Sequence, residues 1–312
     1  MSLEIKNLSK RFGNNWVFRN LSLTAEPGKV TGIFGSTGCG KTTLLEMIST
    51  DEKPGSGTIS GLDLTNSKLI GMPSNEKRSW LPFFGNKAFA GNRIEQFAEL
   101  FGSNAKLILL DSPFSGLDIA VKESLSKKLF EYAQKKSATV IFASSDFNEI
   151  LQFCDEAAVI EKGEVMQFGR PQEIYDEPAT VAIAELTGPN NLFEARRLSS
   201  SKAEIPEFQT IEGEHKLFGR KTELGSLGAI NQNIILGIRP EQISMTFGAS
   251  FPEDNLIKAK IVKIKPRGAE TRVELDAEGL RLEALVPRLI GLNIGDECML
   301  GLPPDRIRPF SH

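Results

Sequence analysis

Short runs of consecutive apolar residues, separated by segments with a helical repeat, dominate the first part of the chain. Val30–Phe34 and residues 106–110, 139–143 and 157–160 are continuous enough to be strands that are buried on both faces. Between them, Ile119–Lys136 places Val, Leu and Tyr side chains at helical spacing. This alternation predicts an α/β fold with a mostly parallel sheet.

The pattern changes after Gly188 and Pro189. Residues 198–201 and 203–213 are polar and irregular, which predicts loops. From Ile234 onward short strands dominate, and residues 280–286 alternate apolar and charged side chains with the period of a half-buried strand. The chain therefore divides into a predicted nucleotide-binding domain, residues 1–187, and a small all-β domain with its linker, residues 188–312.

The run GSTGCGKT, residues 35–42, fits the G-x-x-x-x-G-K-[ST] pattern of a P-loop, and it follows a predicted strand and precedes a predicted helix. Backbone N–H groups in such a loop bind phosphate oxygens, and the helix N-terminus favours negative charge. A chance glycine-rich turn is the alternative, but the flanking elements argue against it. The predicted nucleotide-binding residues are Gly35, Ser36, Thr37, Gly38, Cys39, Gly40, Lys41, Thr42 and Thr43.

Asp111 ends the apolar run 107–111 and is followed by Ser112 and Pro113, which has the form of a Walker B strand. A carboxylate at the end of a buried strand is well placed to hold Mg²⁺, together with the Thr42 hydroxyl. Asp111 by itself would fit a turn-capping role equally well. The P-loop upstream favours the magnesium role.

Composition limits the remaining classes. The 312 residues include 40% hydrophobic and 25% charged residues, as in an ordinary soluble protein with room for two domains. A net charge of −3 gives no general attraction to nucleic acid, and no apolar run is long enough to span a bilayer. We expect no secretory signal at the N-terminus. Three scattered cysteines and only two histidines favour a reducing cytosol and exclude a histidine-rich metal site.

Several segments together resemble one family, the ATP-binding subunits of ABC transporters. Residues 107–118 (LILLDSPFSGLD), 139–146 (TVIFASSD) and 155–175 resemble its Walker B, D-loop, switch strand and following segment. Residues 3–13 and 18–35 resemble its opening antiparallel strands. Residues 235–243 (ILGIRPEQI) and 300–310 resemble the C-terminal OB-type domain of importer subunits.

The resemblance implies a set of functional expectations. ATP and Mg²⁺ are the implied cofactors, with Asn75 at the position of the Q-loop glutamine as a further magnesium ligand. Phe12 falls where the family stacks an aromatic ring on adenine, although packing in the core is an equal alternative. The implied partners are a membrane permease and a second ATP-binding subunit, identical or different, and no nucleic acid. The implied location is cytoplasmic, at the inner face of the cell membrane.

The sequence departs from the family at catalytic positions. Ser112 replaces the glutamate that polarises the attacking water, and Ser145 replaces the switch histidine. The LSGGQ signature is not recognisable in KAFAGNRIEQF, residues 87–97. The interval between Lys41 and Asp111 is only 70 residues, which predicts a truncated helical subdomain at about residues 72–105.

The aromatic residues of this shortened region are either a contact surface for a membrane partner or the core of the subdomain itself; they are Trp80, Phe83, Phe84, Phe89, Phe97 and Phe101. Because the phosphate-binding residues are kept and the hydrolytic ones are replaced, the sequence predicts nucleotide binding with weak or absent hydrolysis. The leading hypothesis is an importer ATP-binding subunit. The alternative is a regulatory module outside transport, in which the β domain senses a ligand or protein. A GTPase is disfavoured because no N-K-x-D motif is present, and a kinase is disfavoured because SGLD and residues 139–175 match the resembled family. DNA-acting relatives are disfavoured by the short interval.

Overall fold

The computed structural model describes residues 2–62, 67–71, 86–198, 205–221, 229–247, 255–287 and 291–310. The side chains of residues 67, 69, 71 and 86–92 lie outside this description. The chain forms two compact units, Met1–Asp176 and Glu177–His312. The division falls eleven residues before the limit that the sequence predicts, because the helix at 181–187 belongs to the second unit.

A six-stranded sheet forms the centre of the first unit, and its order is β5-β6-β7-β3-β8-β9. All neighbours are parallel except the last pair, which is antiparallel. A second, three-stranded antiparallel sheet has the order β2-β1-β4. The strands are β1 (Leu3–Phe12), β2 (Asn15–Ala25), β3 (Val30–Phe34), β4 (Ser56–Ser60), β5 (Ser67–Gly71), β6 (Leu107–Asp111), β7 (Thr139–Ser144), β8 (Glu156–Glu161) and β9 (Glu164–Gly169).

The helices of the first unit pack on the six-stranded sheet or on one another, and the predicted α/β fold with a mostly parallel sheet is confirmed. Every residue of β3 and of β7 is buried, as expected for central strands that carry continuous apolar runs. The helices are α1 (Lys41–Ile48), α2 (Asn86–Phe101), α3 (Ile119–Lys136), α4 (Phe147–Phe153) and α5 (Pro171–Asp176).

Two five-stranded antiparallel sheets enclose a single apolar core in the second unit, with the orders β12-β11-β10-β13-β19 and β14-β18-β15-β16-β17. The predicted small all-β region is therefore confirmed. One helix, α6 (Val181–Thr187), precedes the strands. These are β10 (Asn191–Arg197), β11 (Glu207–Thr210), β12 (Lys216–Phe218), β13 (Asn233–Ile238), β14 (Ser244–Thr246), β15 (Asn255–Arg267), β16 (Glu270–Ala277), β17 (Leu280–Pro287), β18 (Glu297–Leu302) and β19 (Arg308–Phe310).

Two buried asparagines connect the two sheets of this unit. The Asn191 amide donates to the Glu283 carbonyl (2.8 Å) and accepts from the Glu283 N–H (2.7 Å). Asn255 accepts from the Phe218 N–H at 2.7 Å and donates to the Phe218 and Leu302 carbonyls, both at 2.9 Å. Each amide takes the place of a backbone partner, so the sheets are joined where no strand pairing connects them.

One loop prediction is wrong. Residues 203–213 were expected to be irregular, whereas Glu207–Thr210 forms β11 and pairs with β10. Phe208 and Thr210 are buried while Glu207 and Gln209 are partly exposed, which is strand alternation over only four residues. The segment is too short for its period to be distinguished from a polar loop.

Candidate functional site

The glycine loop connects β3 to α1 in the order that a P-loop requires. Two of its glycines are needed for steric reasons. A Cβ on Gly35 would lie 2.3 Å from the Ile160 carbonyl oxygen. Gly40 has a φ of 104°, and a Cβ there would lie 2.5 Å from Val17. The loop can therefore keep this close path only with glycine at both positions.

Lys41 is the first residue of α1, and its ammonium group turns back into the loop. It is 7% exposed and donates to the carbonyls of Gly35 (2.8 Å) and Ser36 (3.0 Å). The Cys39 sulfur lies 3.8 Å from the same nitrogen. Burial raises the pKa of the Cys39 thiol, and the Lys41 charge opposes that shift. The ammonium group is thus the fixed positive charge of the loop, beside a protonated thiol.

The structure brings Thr42 and Asp111 together. The Thr42 hydroxyl donates to the Asp111 carboxylate at 2.7 Å, although the two residues are 69 positions apart. Asp111 ends β6, which is separated from β3 by β7 alone, so its carboxylate reaches the start of α1. A hydroxyl and a carboxylate oxygen are hard ligands that suit Mg²⁺, with phosphate oxygens and water to complete an octahedron. No group of three His, Cys, Asp or Glu side chains arranged to hold a metal occurs in the described part of the chain.

Serines occupy both hydrolytic positions: Ser112 directly follows Asp111, and Ser145 directly follows the last residue of β7. Ser112 has a φ of 46°, and its N–H donates to the Ala143 carbonyl at 2.8 Å. Ser145 is exposed in the turn between β7 and α4. A serine hydroxyl has no basic lone pair that can accept a proton from water at neutral pH. The described site therefore combines a glycine loop of the P-loop type with a hydroxyl–carboxylate pair that would suit Mg²⁺, and neither serine can act as a general base.

Arg93, which the sequence did not single out, contacts the loop after β6. It is 4% exposed on α2, and its guanidinium donates to the carbonyls of Ser112 (2.8 Å) and Pro113 (2.7 Å). Burial lowers the pKa of Arg93, and the nearby Asp111 charge opposes this. One turn further along α2, Phe97 stacks on Phe114 at a ring distance of 6.0 Å. The helix is thus fixed to the loop that carries Ser112.

A second network missed by the sequence ties the switch region to α3. The Glu149 carboxylate is 8% exposed and accepts from the Lys122 ammonium and the Ser144 hydroxyl, both at 2.8 Å. Lys122 lies on α3, Glu149 lies on α4, and Ser144 is the last residue of β7. Since the paired charges are 27 residues apart, only the folded topology brings them together.

The remaining predicted site residues have different positions. Ser36, Thr37 and Gly38 line a groove beside the loop, and Thr43 is partly exposed on α1. The Phe12 ring is 50% exposed at the end of β1, so packing in the core is not its role. Asn75, Trp80, Phe83 and Phe84 lie outside the described residues, as does the side chain of Phe89. Phe97 is fully buried and Phe101 packs near Tyr132, so these two rings belong to the core.

Comparison with known proteins agrees with this arrangement. Residues 18–82 match the ABC transporter family model, and residues 236–310 match the TOBE domain model. The Fe(3+) ions import ATP-binding protein of Photorhabdus laumondii is 26% identical, over 97% of this chain and 95% of its own length. The spermidine/putrescine import ATP-binding protein of Clostridium acetobutylicum is 25% identical, over 98% and 95%.

A solved structure, cbiO1 of Clostridium perfringens, is described as part of an ABC transporter complex. It covers 56% of this chain and 90% of its own, with 19% identity and a TM-score of 0.44. The two domain models and the curated relatives support one class, the importer-type ABC ATP-binding subunits with a C-terminal TOBE domain. The alignment with the Photorhabdus relative spans 349 positions, more than the 312 residues of this chain, so the alignment contains gaps in this sequence. No helix in the described ranges is long and apolar enough to cross a membrane.

Proposed function

We propose that this subunit binds Mg-ATP at residues 35–43 and couples nucleotide binding to a membrane permease, with weak or absent hydrolysis of its own. The observation that carries the proposal is the contrast within one site. Lys41 lies in the loop and Thr42 meets Asp111 at 2.7 Å, whereas serines occupy positions 112 and 145. Asn75 is proposed as a further magnesium ligand.

Affinity and rate depend on different parts of such a site. Backbone N–H groups, the Lys41 charge and magnesium bind the ground-state triphosphate. Only groups that interact more strongly in the transition state accelerate hydrolysis, and loss of a general base costs about 10²–10⁴ in rate. Replacement at both hydrolytic positions therefore lowers turnover while nucleotide binding remains.

The proposed function includes an assembly, in which a catalytically intact second subunit would supply the hydrolytic groups that this chain lacks. We propose that the subunit lies at the cytoplasmic face of the membrane, bound to a permease and to a second ATP-binding subunit, either identical or catalytically intact. Curated relatives over nearly the whole chain are named as import ATP-binding proteins, which supports a permease partner. Co-purification of a permease with the tagged chain from its native membrane would support this arrangement, and recovery of the chain without any membrane protein would contradict it.

Steady-state phosphate release with Mg-ATP tests the hydrolytic part. We expect calorimetry to detect ATP binding that is lost in Lys41→Ala, together with phosphate release at the level of that variant. Turnover of about one per second, within the ordinary range of enzymes, that disappears in Lys41→Ala would refute the proposal.

A gain-of-function variant gives a sharper test. The double variant Ser112→Glu with Ser145→His restores a carboxylate and an imidazole beside the magnesium pair. We expect phosphate release to rise about 10²-fold or more over the parent, since a positioned base contributes at least that factor. The matched control adds Lys41→Ala to the double variant and should return the rate to background. An unchanged rate, with ATP binding intact, would show that these two positions do not limit hydrolysis.

A further inference from the structure

The turn between β7 and α4 is held in place by side-chain hydrogen bonds. The Ser144 hydroxyl accepts from the Asp146 N–H at 3.0 Å and donates to the Glu149 carboxylate at 2.8 Å. The Asp146 carboxylate accepts from the Asn148 N–H at 2.9 Å and so caps α4. Ser145 therefore lies between two residues that are both held, although serine at this position supplies no general base.

Glu149 connects this turn to the first turn of α3. One carboxylate oxygen accepts from Ser144, and the other accepts from the Lys122 ammonium at 2.8 Å. The side chains of Lys122 and Glu149 are both mostly buried. Burying two charges carries a desolvation cost that their attraction often does not offset, so such a pair is weak evidence for stability. Its better-attested role is to fix one arrangement of the elements that it joins.

α4 also packs against the strand that leads into the glycine loop. Phe147, the first residue of α4, is buried, and its ring centre lies 4.8 Å from that of Phe34 in an edge-on arrangement. Phe34 ends β3 and directly precedes Gly35. Because close-packed rings do not move independently, a shift at the entry of the loop reaches α4 through this contact. One short helix thus packs on the strand before the loop and carries one half of the ion pair with α3.

The first turn of α3 has little other support. Asp118 occupies the N-cap position, but its side chain forms no capping hydrogen bond, and Ile119 is exposed. In the described part of the chain, the Lys122–Glu149 pair is the only side-chain hydrogen bond of residues 118–122. A helix start without a side-chain cap frays easily, so this one contact has a large share in fixing it. The position of this turn therefore depends on Glu149, and through Glu149 on α4.

We infer that Glu149 is a positioning residue that makes the turn at 144–146 and the first turn of α3 respond together when nucleotide binds in the glycine loop. The inference rests on the proposed nucleotide-binding function and adds to it the way in which occupancy of the loop reaches the exposed start of α3. The packed rings carry the change from β3 to α4, and the ion pair carries it from α4 to Lys122. Coupling between two places is reciprocal, so each end should report a change made at the other.

Hydrogen exchange followed by mass spectrometry on the full chain tests this link without nucleotide. Lys122→Met removes the ammonium and leaves the residues of the turn unchanged. We expect exchange at residues 146–149 to become about 5- to 100-fold faster, because the loss of a partner for a buried carboxylate favours local opening by about that factor. Ser144→Ala acts from the other end and should speed exchange at residues 121–125, none of which is hydrogen-bonded to Ser144. Residues 130–136, in the second half of α3, should keep the parent rate in both variants.

The same measurement with Mg-ATP tests the response to nucleotide. In the parent, ATP should slow exchange at residues 35–48, in the glycine loop and α1, and also at residues 121–125. Glu149→Gln keeps an oxygen for the Ser144 hydroxyl but loses the charge that pairs with Lys122. We expect ATP to protect residues 35–48 in this variant and no longer to protect residues 121–125. Calorimetry should show an ATP affinity within about twofold of the parent, because the changed group is not part of the loop.

Glu123→Gln is the matched control, since it makes the same chemical change beside Lys122. The Glu123 side chain is exposed and forms no ion pair with a described residue. Exchange at residues 121–125 should respond to ATP in this variant as it does in the parent. Equal loss of the response in Glu123→Gln and Glu149→Gln would trace it to the net charge of the helix and would overturn the inference.

Three further results would contradict the inference. They are ATP protection at residues 121–125 that is the same in Glu149→Gln as in the parent, ATP protection confined to residues 35–48 in the parent, and unchanged exchange at residues 146–149 in Lys122→Met. A failure of the proposed function gives a different pattern, with no ATP protection at residues 35–48 and no heat in calorimetry. The two variants measured without nucleotide still decide in that case whether Glu149 links the turn to α3.

Discussion

At the scale of single residues, the Thr42–Asp111 pair and the buried Arg93 differ in how far the sequence can predict their contacts. Thr42 and Asp111 lie in motifs whose spacing predicts that they meet, and the structure places them 2.7 Å apart. Arg93 gives no such signal, because a charged residue on a helix is by default a surface residue. Its burial follows from the docking of α2 on the loop at Ser112, which is a contact across 19 positions. Local patterns do not encode contacts of that kind.

The Thr42–Asp111 contact supports a prediction about magnesium. Thr42→Val keeps the branched shape but removes the hydroxyl that meets the Asp111 carboxylate. We expect the apparent Mg²⁺ affinity, measured by calorimetric titration of MgCl₂ into the protein with ATP, to fall at least about tenfold. ATP binding in EDTA should not change, because the loop amides and Lys41 remain.

Thr58→Val is the matched control for that experiment. Thr58 lies on β4 with an exposed side chain, so valine fits the strand and no change in the magnesium titration is expected. A Thr42→Val protein whose magnesium titration followed that of Thr58→Val would remove Thr42 from the metal site.

At the scale of elements, predictability follows the length of the pattern. Ile119–Lys136 was predicted as a helix with the bounds that it has, since five turns of helical spacing leave little ambiguity. β11 has four residues and is defined by pairing with β10, so its own sequence carried too little information. The local sequence also did not predict that α6 belongs to the second unit. Its partner Arg239 lies more than fifty positions later in the chain.

Arg239 holds α6 on the β unit, and its loss should be costly. The side chain is 3% exposed and donates to the carbonyls of Ala184, Gly188 and Pro189 at 3.0–3.1 Å and to the Thr187 hydroxyl at 2.8 Å. Arg239→Met keeps most of the length but leaves these acceptors without their cation. We expect the free energy of unfolding of the second unit to fall by about 3–5 kcal/mol, measured by urea denaturation of the full chain.

A surface arginine provides the comparison for Arg239. Arg281 pairs with Asp276 at 3.2 Å, but its side chain is 63% exposed, so Arg281→Met should cost less than about 1 kcal/mol. Equal losses of stability in the two variants would mean that the buried cluster of acceptors contributes no more than an exposed ion pair.

At the scale of the whole molecule, each unit has its own core. The apolar cluster of the first unit is built from β1, β2, β3 and α1 with the central strands, and that of the second from residues 193–307 alone. Glu177, the first residue of the second unit, pairs with Arg220 at 2.8 Å and lies 3.9 Å from Arg308. Contacts within the second unit therefore begin at its first residue, before α6. A unit of this size with its own core meets the ordinary conditions for independent folding.

Two fragments distinguish the structural limit from the one predicted by the sequence. Residues 177–312 include α6 and Glu177, so we expect this fragment to unfold in one cooperative transition in urea, followed by far-UV circular dichroism. Residues 188–312 lack α6 and leave Arg239 buried without the Ala184 and Thr187 acceptors. Because a buried charge that loses its partners is strongly destabilising, the shorter fragment should be less stable by about 2–5 kcal/mol or fail to fold. Equal midpoints and slopes for the two fragments would show that α6 is a linker and that the β domain begins at residue 188.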